Sequence, residues 1–195
     1  MAITRLNSSS LTGVIIPNTS INNASLNSVT ALPSGVGGKI LQVKQTTKLD
    51  TFSTTSSSNT DVTGLSVAIT PSSTNSKIFI TASISLGSEN ADRNLNLFVT
   101  RGDTEIYKGD QSGSNRQRAG GGLHYHHGIS VTNGTYSTNI MFLDSPSSSS
   151  ELTYKIRANA GANGGTLLIN RTGTSTDDNN RASYPSSITV MEVQA

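Results

Sequence analysis

The chain has no cysteine and no tryptophan, aromatic residues make up 5% of it, and only 13% of its 195 residues are charged. Without cysteine there is no disulfide, no thiolate metal site and no thiol nucleophile, and the redox compartment stays open. The formal net charge of +2 is too small to steer a polyanion, so no nucleic-acid partner is expected. No apolar run approaches the ~18 residues of a membrane helix. The opening MAITRLNSSS also lacks the apolar stretch of a signal peptide. The sequence therefore predicts no membrane association and a protein made and folded in a cytoplasm.

Present instead are serine, threonine and asparagine, together roughly 38% of the chain, which compete with helical backbone hydrogen bonds and, for threonine, favour strands. Hydrophobic residues reach 33%, little core material, yet the low charge argues against charge-driven disorder. The length suits one domain with a real core and an appendage.

Residues 1–38 carry apolar side chains singly, at Ile3, Leu6, Leu11, Ile21, Leu26, Val29 and Leu32, between serine and asparagine clusters. A segment of this kind cannot bury itself. It reads as an extended N-terminal arm, with Leu6, Leu11, Ile21, Leu26 and Leu32 as anchors for another chain. From Lys39 to residue 195 the pattern becomes short alternating segments separated by turns. The clearest is Ile78, Ile80, Ala82, Ile84 and Leu86, a half-buried antiparallel strand. About ten strands are predicted, with an Asn133-Gly134 hairpin between the runs 123–131 and 136–142. No helical stretches separate them, so the expected fold is all-β: an antiparallel two-sheet sandwich, best matched by a jelly roll.

Few residues carry a chemical signal. His124 and His126 project to one strand face and would need a third ligand to hold a metal. Asp177-Asp178 lacks the spacing of a calcium loop. Arg101-Gly102-Asp103 is turn chemistry. The run Ala119-Gly120-Gly121-Gly122 has no phosphate-cradle context and reads as a close backbone approach or a bulge. No metal, no cofactor and no catalytic residue is expected, hence no enzyme. Arg101, Arg116, Arg118 and Tyr184, in or beside loops, are candidates for receptor or subunit contact.

The segments Gly37–Thr46, Thr63–Ile78, Phe142-Leu143-Asp144-Ser145-Pro146, Ile169-Asn170-Arg171 and Ser187–Val193 resemble the virion surface proteins of tailed phages, the group that includes fibres, head fibres and decoration proteins, notably of marine and cyanobacterial hosts. The resemblance implies a trimeric β-sandwich on the virion surface with no motif-defined catalytic residues. Two roles follow from it: a capsid decoration or cement protein bound to the major capsid protein through its arm, or a short tail or head fibre, attached to a tail or head protein, whose distal loops bind a host surface glycan.

Overall fold

The computed structural model describes residues 39–90, 94–110, 113–124, 133–161, 165–174, 179 and 181–194. The arm residues Leu6, Leu11, Ile21, Leu26 and Leu32 lie outside the described residues, as do His126, His127, Asp177 and Asp178. Among the described residues there are eleven strands and no helix: β1 (Ile40–Lys48), β2 (Phe52–Thr54), β3 (Thr60–Ile69), β4 (Lys77–Ser88), β5 (Asn94–Arg101), β6 (Thr104–Tyr107), β7 (Gly121–His124), β8 (Tyr136–Asp144), β9 (Leu152–Asn159), β10 (Leu167–Ile169) and β11 (Ser186–Val193).

Every pairing is antiparallel, and the strands form two sheets. In sheet A, β4 pairs on one side with β8 and on the other with β11 and then β10. Outside these, β1 pairs β11 and β2 pairs β10. Sheet A is thus four strand lines wide, in the order β1/β2, β11/β10, β4, β8. Sheet B has the order β3, β9, β5, with β6 and β7 sharing the edge beside β5. Eight antiparallel lines in two sheets, with consecutive lines crossing repeatedly between them, form a jelly roll.

Alternation decides which side chains meet. Ile78, Ile80, Ala82, Ile84 and Leu86 of β4 are almost completely buried, as are Leu95, Leu97 and Val99 of β5 and Tyr154, Ile156 and Ala158 of β9. Burial of these inward rows supplies the main driving force for folding, at roughly 25 cal/mol per Å² of apolar surface. Tyr107 and Phe142 close the side where β6 faces β8, their ring centroids 5.0 Å apart.

The glycine run does make a close approach. A Cβ on Gly122, whose φ is +143°, would lie 2.1 Å from the Leu95 carbonyl oxygen, and one on Gly121 would press on Ile140 at 3.1 Å. Only glycine lets β7 reach both β5 and the inner side of β8. The expected Asn133-Gly134 hairpin falls partly outside the described residues, which omit 125–132. The described parts of its two runs pair in different sheets, β7 with β5 and β8 with β4.

The chain comes in and goes out at one pole. Ile40 pairs Val193, and the Gln194 N–H donates to the Lys39 carbonyl at 2.7 Å. The 70–76 and 145–151 loops share this near pole, whereas the loops after Ser88 and Ala160 and before Tyr136 lie at the far pole. Between β10 and β11, the described residues 171–174, 179 and 181–184 lie over the outer face of sheet A on its far half. There the Arg171 carbonyl oxygen sits where a Cβ on Gly87 would be, 2.2 Å away.

Candidate functional site

The four candidate contact residues do not converge. Arg101, at the end of β5, pairs with Asp144 at the end of β8, Nη1 to Oδ2 at 2.6 Å. The Tyr154 hydroxyl donates to the same oxygen at 2.8 Å. Burial pushes the Tyr154 phenol well above its usual range, and the hydrogen bond to Asp144 adds to it. This trio fastens sheet B to sheet A, and a carboxylate so placed depends on its cation. The following Gly102, at φ +59°, makes the tight turn, and Asp103 pairs with Arg157 at 2.6 Å.

Arg116 lines two adjoining clefts of about 480 and 430 Å³ over the outer face of sheet B, and Arg118 lines the first of them. Beneath them runs a chain of amides. Asn96 Nδ2 donates to Gln117 Oε1 at 2.5 Å and to Asn159 Oδ1 at 2.9 Å. Asn159 Nδ2 donates to Asn59 Oδ1 at 2.7 Å, and Asn59 Nδ2 to Glu105 Oε1 at 2.6 Å. Phe98 forms part of the floor. Arg118 is oriented by its Nε, which donates to the Gly109 carbonyl at 2.8 Å. Alternation places Asn96, Phe98 and Asn159 outward on their strands, but asparagine is so common in this chain that no local pattern marks the relay. Its bonded partners are 21 to 100 residues apart along the chain.

Tyr184 belongs to a different cleft of about 320 Å³, lined also by Asn133, Gly134, Thr135, Ser137, Thr172, Asn179 and Arg181. Arg181 Nη1 donates to Asn133 Oδ1 at 2.6 Å, tying the 170–185 segment to the start of β8. Tyr184 is half exposed. An aromatic face beside amides and a guanidinium can stack on an apolar ring face and hydrogen-bond the hydroxyls around it. Among the described residues no group of three or more His, Asp or Glu side chains is placed to hold a metal ion.

Two further polar nodes lie inside the fold. Asn170, fully buried and at φ +64°, donates from Nδ2 to the Lys48 and Asp50 carbonyls at 2.8 and 2.9 Å. Its Oδ1 accepts from Ser186 Oγ at 2.6 Å. Glu192, also buried, accepts from the Ser72 N–H at 2.7 Å, from Ser72 Oγ at 2.6 Å and from Gln42 Nε2 at 2.7 Å. Burial opposes its ionisation, but hydrogen bonds from Ser72, Gln42 and Ser76 outweigh that and bring its pKa down to about 2.

No protein-family model matches this chain. No curated protein matches it either. Among solved structures twelve chains match. One is the tripod from the baseplate of bacteriophage Tuc2009, 13% identical, with 96% of this chain and 87% of that chain covered and a TM-score of 0.36. A likeness this slight assigns no role to the present chain.

Proposed function

We propose that this chain is a non-enzymatic structural protein of a phage virion: a trimeric capsid decoration or cement protein, bound to the shell through residues 1–38. The observation that carries the reading is where the phage-like segments fall in the fold. Ser72 and Ser76 hold Glu192, Asp144 holds Arg101 and Tyr154, and Asn170 joins the turn after β1 to β11. Several polar fasteners of the sandwich thus fall within the segments of the resemblance, which supports reading the likeness as one of architecture as well as of composition. An arm with single apolar anchors binds by filling pockets or adding strands on a neighbour. Three arms on one trimer leave far more slowly than one.

Deletion of residues 1–36 is expected to abolish binding to purified shells while leaving the cooperative unfolding of residues 39–195 intact. Full-strength shell binding by the truncated protein would overturn the assignment.

The Tyr184 cleft favours a second reading, a short tail or head fibre that binds a host glycan, because it lies on the half of the sandwich away from Lys39. Under it, Tyr184→Ala, or Arg116→Ala with Arg118→Ala, lowers adsorption to host cells at least tenfold. Unchanged adsorption counts against these clefts.

A further inference from the structure

The outer faces of the two sheets differ in kind. On sheet B, Lys155 and Arg157 both pair with Asp61 and with Asp103, and the amide relay continues the polar surface. On sheet A the far half is covered by the described residues of the 170–185 segment, and among the described residues nothing covers the near half. Across that open half the register aligns Val43 with Met191, Met191 with Phe79, and Phe79 with Leu143. This is one apolar row spanning all four strand lines. Ile40 and Met141 flank it.

We propose that this near half of sheet A is where the chain packs against further copies of itself. The inference deepens the trimer of the proposed function and rests on it for the number of copies. Val43, Leu143, Ile40 and Met141 are 54%, 46%, 53% and 64% exposed. With half-buried Phe79 and Met191 they leave on the order of 500 Å² of apolar surface open. That is at the upper end of what a monomer shows, and close to the apolar share of the ~800 Å² each partner gives to a standard interface.

Charge selects the occupant. Of the outward positions on the four strand lines, from Val43 to Leu143, Lys77 alone is charged. A face almost without charge meets its own copy with little apposition of like charges, and it offers an oppositely charged partner very little to read. Alternation in a sheet with one wet face puts polar residues outward, and β8 breaks that rule at Met141 and Leu143, where an interface would need it broken.

The test is the oligomeric state of the full chain by sedimentation, with Met141→Glu and Val43→Glu as interface variants and Ala68→Glu, exposed on sheet B, as the control. Each interface variant is expected to raise the apparent dissociation concentration roughly a hundredfold, because a carboxylate buried against apolar groups is desolvated without a partner. The control leaves association unchanged. Peroxide oxidation of the unaltered protein gives a readout independent of variant folding, with Met141 protected at concentrations where the chain associates and reactive on dilution.

An oligomer indifferent to both variants, with Met141 reactive, would overturn this face and leave the trimer standing. A monomer at high concentration would overturn both. A monomer in which Met141 is protected would show that another part of the same chain covers the patch, and would also overturn the proposal. Association through this face without any binding to shells would instead sink the virion role alone.

Discussion

Asn170→Ala is expected to destabilise the sandwich by about 3–5 kcal/mol, a loss at the top of the range for a single polar substitution. The alanine removes three hydrogen bonds at once and leaves two backbone carbonyls and the Ser186 hydroxyl without this partner, each loss costing about 1–3 kcal/mol where the group stays dry. It also places a Cβ with no compensating hydrogen bonds at φ +64°, a conformation that costs an ordinary residue about 1–2 kcal/mol. These costs overlap, which is why the total falls below their sum. A protein of this size shifts by about 2–4 °C per kcal/mol, so the thermal midpoint should drop by about 6–20 °C. Asn170→Gly separates the causes. It relieves the backbone and still loses the bonds, so it should recover about 1 kcal/mol relative to alanine. A loss below about 1 kcal/mol for alanine would mean that water replaces the side chain, and Asn170 would cease to be a fastener.

The second expectation concerns acid. Glu192 has a folded pKa of about 2 against an ordinary value of 4.5. A carboxylate whose pKa is depressed by folding contributes stability that is fully present above about 4.5 and is lost as the pH falls toward 2. The shift corresponds to about 3 kcal/mol. The groups around it, Ser72, Ser76 and Gln42, carry no charge, so the loss is one of hydrogen bonds to the ionised form and should hold up in salt. Urea unfolding of the unaltered chain should therefore weaken steeply between pH 4.5 and about 2. Glu192→Gln should be about 2–3 kcal/mol less stable at pH 7 and nearly level with the unaltered chain at about pH 2. Asp61 is also lowered, first by its hydrogen bond from Arg157, but it is half exposed and adds only a shallow slope common to both proteins. Parallel pH profiles for the two proteins would remove Glu192 from the explanation.

The strands are legible in the sequence because alternation is a local signal. Lys77–Ser88, Leu95/Leu97/Val99 and Leu152–Ala158 all present the inward rows that period two requires. What the sequence hides is long-range. Nothing near Arg101 announces that its partner is Asp144, 43 positions on, so it reads as a loop contact rather than a fastener between sheets. Met141 and Leu143 escape notice for the opposite reason. They alternate with Ile140 and Phe142, whose inward phase accounts for the strand, and a one-strand pattern cannot show that Leu143 continues an apolar row across three other strand lines, with Met141 at its flank. Asn170 and Glu192 stand out only within phage-like segments, since their work is to meet backbone groups that topology brings near.

Both ends of the described sandwich, Lys39 and Gln194, are tied together at the near pole, beside the apolar half of sheet A. The described residues of the far-pole loops, which follow Ser88 and Ala160 and precede Tyr136, lie at the opposite end of the strands from this junction. Such loops can lengthen, shorten or accept foreign peptides with little disturbance to the core. A peptide placed at Gln194, by contrast, would stand beside Lys39 and the apolar half of sheet A. For anyone wishing to display a peptide on this protein, the far pole is the place to insert it.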